Sequence, residues 1–175
     1  MTATAYQDIK KSLRQLYLED NRPWLLGFSG GKDSTMLAAL VFDAVLSVAA
    51  AERTKPVSVV CTDTRVEIPA IVEMVEGTLR QMQQCSKQND LNIDVNLLKP
   101  TAEESFWVNI IGRGYPPPNR VFRWCTQRMK IDPVNIFVQQ RLRNVSASLL
   151  ADSQTFPTSA QAVSIAREKR ITERD

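Results

Sequence analysis

The chain has no histidine among its 175 residues. That excludes a histidine general base, a Ser-His-Asp or Cys-His arrangement, and any histidine-containing zinc site. Cysteine is scarce: Cys61, Cys85 and Cys125 stand far apart with no Cys-x-x-Cys spacing. An odd number of this kind suits reduced thiols better than a disulfide framework. Long apolar runs are missing too, since Met36 to Ala51 is interrupted by Asp43 and Ser47. The N-terminal MTATAYQDIKK lacks the apolar core and cleavage region of a secretory signal, so a cytoplasmic protein with no membrane partner is expected. A net charge of +3 does not by itself predict binding to nucleic acid or to an anionic surface.

What is present is ordinary globular composition, 43% hydrophobic and 23% charged, at a length that suits one domain. Ile9, Leu13, Leu16 and Tyr17 at helical spacing predict a leading helix over residues 4–19, ended by Asn21 and Pro23. Trp24 to Phe28 is read as a buried strand and Ser34 to about Ala51 as a helix. Val57 to Thr62, rich in β-branched residues, is a strand covered on both faces. Pro69 opens a helix with Ile71, Val72, Val75, Leu79 and Met82 on one face, ended by Asn89 and Asp90. Ile93, Val95 and Leu97 alternate as a third strand. Thr101 and Glu104 have the spacing of a capping box for a helix to about Ile111. The prolines of GRGYPPPN impose an irregular loop, and a further helix runs from about Pro133 to Leu142. Beyond Asn144 only VSASLL has strand character. Strands alternating with helices predict an α/β fold built on a doubly wound parallel sheet.

The stretch GFSGGKDS joins the first strand to its helix. A glycine-rich turn there lets backbone N–H groups converge on an anion at the positive end of the helix. A Walker A loop is excluded, because position 26 is Leu and Asp33 follows Lys32. A Gly-x-Gly-x-x-Gly fingerprint fails at Ser29. The purely structural alternative is a turn in which Gly30 and Gly31 supply positive φ while Asp33 or Ser34 caps the helix. What remains, Ser29-Gly30-Gly31-Lys32-Asp33-Ser34, resembles the PP-loop of the ATP pyrophosphatase or adenine nucleotide α-hydrolase superfamily. That resemblance implies that Ser29, Gly30, Gly31 and Ser34 line a phosphate, that Lys32 adds charge, and that Asp33 helps place Mg²⁺ or the loop.

Two further segments narrow the reading. CTDTRVEIPA puts Asp63 and Thr64 at the carboxyl end of the second strand, where ligands of open α/β sheets bind; helix capping is the alternative role. FRWCTQRMKIDP brings Arg123, Arg128 and Lys130 together near Cys125, with Arg120 upstream. Positive charge favours a thiolate, suited to sulfur transfer or metal ligation. The plain alternative is a basic surface loop with Trp124 packed inward and an inert cysteine.

Taken together, YLEDNRPWLLGFSGGKDST, CTDTRVEIP and RWCTQRMK resemble the nucleotide domain of the DndC-type family, the phosphoadenylylsulfate (PAPS) reductase-like subunits of bacterial DNA phosphorothioation systems. The resemblance implies an adenine nucleotide α-hydrolase-like (Rossmann-like) fold and an ATP- and Mg²⁺-dependent enzyme that adenylylates a target on the DNA backbone with pyrophosphate release. It places Lys32, Asp33 and Cys125 in the chemistry and Asp63, Thr64, Arg123 and Arg128 at the nucleotide. It also implies a cysteine desulfurase and other phosphorothioation subunits as partners, and a [4Fe–4S] cluster, toward which this chain offers Cys125 alone at a family cysteine position. A PP-loop domain over residues 1–143 followed by an atypical tail over 144–175 is expected, with the family's later strand and Gly-x-Arg turn missing. The alternatives are a PAPS- or APS-type sulfonucleotide reductase and an inactive truncated remnant or interaction module.

Overall fold

The computed structural model describes residues 3–152. The chain divides into two compact units, Met1–Asn135 and Ile136–Asp175. In the first, helix α1 (Ala3–Glu19) precedes strand β1 (Trp24–Gly27), helix α2 (Lys32–Leu46), strand β2 (Val57–Thr62), helix α3 (Pro69–Gln88) and strand β3 (Ile93–Leu98). The three strands form one parallel sheet in the order β1-β2-β3. This is an α/β architecture.

The register explains the core. Trp24 pairs with Val57 and Val57 with Ile93; Leu26 pairs with Val59 and Val59 with Val95. Alternation therefore sends these residues, with Phe28, Cys61 and Leu97, to one face. There they join Val41 and Val45 of α2 and Val75 and Leu79 of α3 in a single apolar cluster. Val45, Val57 and Val59 are fully buried, each removal from water worth about 2 kcal/mol. The opposite face is mixed. Val60 is buried and Leu25 is half-exposed, whereas Ser58 Oγ and Asn96 Nδ2 both donate to the Asp94 carboxylate, at 2.8 and 2.6 Å.

Several local expectations are corrected. Helix α2 stops at Leu46 and not near Ala51. Ser47 Oγ donates to the Ala44 carbonyl at 2.6 Å, and the Arg53 guanidinium covers the carbonyls of Leu46 and Val48, satisfying the orphan acceptors of a helix end. Thr101 and Glu104 make no capping box. Glu104 N–H donates to the Thr101 carbonyl at 3.1 Å, and its carboxylate is taken by Arg113 and Arg128, because two charged donors outcompete a neutral backbone N–H. In place of a continuous helix stands a turn leading to a π-helical turn at Val108–Gly112.

After the proline loop come the single helical turn α4 (Trp124–Thr126), a second π-helical turn at Gln127–Ile131, and helix α5 (Asp132–Asp152). The backbone of VSASLL is therefore helical, not extended. The rest of the expected tail lies outside the described residues. Within the second unit, the Arg141 guanidinium lies 5.2 Å from the Phe137 ring centre. Among the described residues no helix is long and apolar enough to cross a membrane.

Candidate nucleotide-phosphate site

The glycine loop stands at the carboxyl end of β1, and its backbone follows from its residues. Gly30 has φ +75°, while Gly31 is extended at φ −77° and ψ 163°. Positive φ is therefore required at Gly30 only. A Cβ on Gly30 would meet Val75 Cγ2 at 2.4 Å. Glycine is thus needed twice over at this position, for conformation and for the close approach of α3.

Neither Asp33 nor Ser34 caps α2. The N-cap is Gly31, with no side-chain cap. Ser34 Oγ instead donates back to the Gly31 carbonyl at 3.0 Å and accepts from the Ser29 N–H at 3.3 Å. The two serine hydroxyls lie 3.2 Å apart. The loop is thereby closed on itself by Ser29 and Ser34. The first-turn N–H groups of α2 have no intrahelical acceptor and stand at the positive end of the helix. Lys32 and Asp33 are exposed beside them. Such an arrangement binds anions.

Beside the loop lies a hollow of about 450 Å³. Ser29, Gly30 and Gly31 form one side, Ile71, Met74 and Val75 of α3 another, and Cys61 and Leu97 contribute from the strands. Asp63, Glu67 and Glu76 also line it, as does Lys130. An anion-binding rim joined to an apolar wall suits a ligand with one charged and one flat apolar part. Burial pushes the Cys61 thiol above its usual range, reinforced by the Asp63 and Glu67 carboxylates and opposed by Lys130. A raised thiol pKa holds Cys61 neutral, as a small core residue.

Asp63 reaches the hollow, but its carboxylate is already engaged: Oδ1 accepts the Arg65 N–H at 2.8 Å and Oδ2 faces Lys99 Nζ at 3.8 Å. That turn holds Arg65 at φ +60°. Thr64 does not line the hollow; it is buried and donates to Glu67 Oε1 at 3.0 Å. Neither residue caps α3, whose N-cap is Ile68.

The basic segment is divided by the fold. Arg128 bonds the Glu104 carboxylate and, at 2.9 Å, the Tyr115 hydroxyl. The Arg128 guanidinium, followed by Arg113, holds the Glu104 carboxyl below its ordinary range. Neither Arg128, Arg123 nor Cys125 lines the loop hollow, whereas Lys130 does. Lys130 also lines a second hollow of about 390 Å³ on the other sheet face, with Leu25, Ser29, Thr62 and Val134. Trp124 is packed inward, its indole N–H donating to the Pro116 carbonyl at 3.1 Å.

Glu67 and the α3 residues Met74 and Val75 were not expected at the site, and Lys130 was grouped with the arginines of the basic segment without being placed at the nucleotide. The signal for Lys130 lay in RMK, which groups it with the arginines without saying which cation turns toward the loop. The three cysteines sit in β2, α3 and α4 as free thiols. Among the described residues no three His, Cys, Asp or Glu side chains stand together to hold a metal. The described residues therefore do not fit a cysteine-ligated cluster, which needs several thiolates at one point.

No family model matches the chain, and no solved structure matches it. Over 128 residues it is 27% identical to a protein of Methanocaldococcus jannaschii described as uncharacterized. The match covers 73% of this chain and 22% of that protein, so the chain spans about a fifth of the length of this relative.

Proposed function

We propose that the first unit is the nucleotide-binding domain of a PP-loop enzyme of the adenine nucleotide α-hydrolase type, with ATP as its ligand, and that it serves DNA phosphorothioation. One observation carries the reading: Ser29–Ser34 forms a self-closed loop, with an uncapped helix start, at the carboxyl end of β1 beside an apolar hollow. Supporting it, the sheet is parallel with α2 and α3 packed on one face, the half-layer of a doubly wound fold.

In this reading the first-turn N–H groups of α2 and Lys32 hold the phosphates beyond the α position, and Ser29 and Ser34 keep the loop closed around them. The base lies against Ile71, Met74 and Leu97. Asp63, Glu67 and Glu76 would repel a bare polyphosphate, which fits entry of the nucleotide with Mg²⁺. Magnesium is commonly held by one or two carboxylates together with phosphate oxygens, and Asp33 is the carboxylate on the loop itself. The metal would offset negative charge on the oxygens around the phosphorus undergoing attack. Lys130, on the hollow's wall, is the cation placed to meet charge developing at the α-phosphate.

Pyrophosphate release from Mg²⁺-ATP, with and without DNA, tests the reading against sulfite release from PAPS. Pyrophosphate formation lost in Lys32→Ala supports ATP chemistry. Sulfite formation assigns the chain to sulfonucleotide reduction. Absence of nucleotide binding, unchanged by Lys32→Ala, assigns it to an interaction module.

A further inference from the structure

Between Ser105 and Ile131 the chain has no Asp or Glu, but it has five cations, Arg113, Arg120, Arg123, Arg128 and Lys130, and five aromatics, Phe106, Trp107, Tyr115, Phe122 and Trp124. The fold sorts both sets into inner and outer members. Arg113 and Arg128 are held by Glu104, and Lys130 lines the loop hollow. Arg120 and Arg123 are exposed, and their guanidinium groups have no hydrogen-bond or ion-pair partner among the described residues.

The aromatics form a continuous chain of ring contacts. Trp107 meets Phe106 at 5.2 Å, Phe106 stacks on Trp124 at 5.7 Å, Trp124 meets Tyr115 at 5.5 Å, and Tyr115 meets Phe122 at 6.4 Å. Trp124 at the centre is buried, whereas the two ends, Trp107 and Phe122, are 58% and 42% exposed.

Val121 is 95% exposed. It is held out by a hydrogen-bonded turn: Asn119 Oδ1 accepts the N–H groups of Val121 and Phe122 at 2.9 and 2.8 Å, and Asn119 N–H donates to the Phe122 carbonyl at 3.1 Å. An apolar pair fixed outward between two free arginines is unsuited to core packing. Its ordering cost is already met before any partner arrives.

We propose that this surface docks single-stranded nucleic acid, with Phe122 and Trp107 stacking on bases, Val121 as a wedge and Arg120 and Arg123 on the phosphates. Exposed rings flanked by cations, with no acid over the whole segment, form the combination that holds single strands without sequence preference. A purely electrostatic patch would not need the locked Val121–Phe122 tip. Between Ser105 and Ile131 the charge left unpaired is all positive, which favours a polyanion over a protein surface. The inference deepens the DNA-directed reading above and rests on it for the partner's identity, but not for its geometry.

The test is fluorescence anisotropy of a labelled oligo(dT) with the full chain, beside duplex DNA and phosphatidylserine vesicles. Oligo(dT) is expected to bind with quenching of tryptophan emission. The double variant Val121→Ser/Phe122→Ser should weaken it about tenfold. The double variant Arg120→Ala/Arg123→Ala should lower the slope of log affinity against log salt by about 1.4. Urea midpoints unchanged from wild type show that the exposed substitutions leave the fold intact. Preference for vesicles or duplex, or affinity untouched by the Val121/Phe122 variant, overturns the proposal. ATP binding without oligo(dT) binding overturns it and spares the nucleotide reading; oligo(dT) binding without ATP binding does the reverse. Lys32→Ala should leave oligo(dT) affinity unchanged.

Discussion

At the amino end of the sheet Lys55 is 2% exposed, and its ammonium donates to Asp20 at 2.8 Å and to the Leu16 carbonyl at 3.0 Å. It also lies 5.0 and 5.5 Å from the ring centres of Trp24 and Tyr17, while the Tyr17 hydroxyl donates to the Lys55 carbonyl at 2.9 Å. At the carboxyl end Lys32 is exposed beside an uncapped helix start. The first lysine has its ammonium committed within the protein, to two oxygens and two ring faces, and ties α1 to the sheet. The second has none committed. A binding site needs groups left free at fixed positions, and the satisfied end supplies the rigidity that fixes them.

Breaking the satisfied end should have the largest effect. Lys55→Met takes its donor from the Leu16 carbonyl and leaves Asp20 with Arg22 alone, and should cost about 3 kcal/mol, read as a lower urea midpoint at unchanged slope. Phosphate binding per folded molecule should be retained. Gly30→Ala comes next, because it combines positive φ with the 2.4 Å approach to Val75 Cγ2. It should cost about 2 kcal/mol of stability and abolish ATP binding in a calorimetric titration. Adding Val75→Ala should restore part of the stability but not the affinity, since φ stays positive.

Lys32→Ala should weaken ATP about tenfold, the equivalent of about 1.4 kcal/mol, with no measurable shift in the urea midpoint. The smallest effect concerns pH. The Lys55 ammonium first, and Arg22 next, hold the Asp20 carboxyl at about 2, below its ordinary 3.8. Because the folded pKa is depressed, this stabilisation is fully present above about pH 4 and is lost as pH falls toward 2. Asp20→Asn should flatten the acid limb of the stability profile in that window and leave its neutral limb parallel to wild type.

Strand β2 and helix α3 were legible from the chain because their signals are local. Val57 to Thr62 is a β-branched run, and Pro69 and Asn89 bracket one apolar face. The glycine loop was legible for the same reason, since strand, loop and helix are consecutive. The fate of the cations was not. Arg128 is removed from the site by Glu104, 24 positions away, and that same ion pair undoes a capping box that looked sound in isolation. Thr64, read beside Asp63 as a ligand contact, turns inward to Glu67.

The sequence by itself determined the alternation of strands and helices and the glycine-rich turn between β1 and α2, because each depends on neighbours within a few positions, and its composition alone excluded histidine chemistry. Only the tertiary structure decided that Gly30 is pinned by Val75, that Lys130 rather than Arg123 or Arg128 lines the hollow beside the loop, and that Lys55 is buried. Those outcomes depend on which distant partner satisfies each charged or crowded group, and that choice is made by packing.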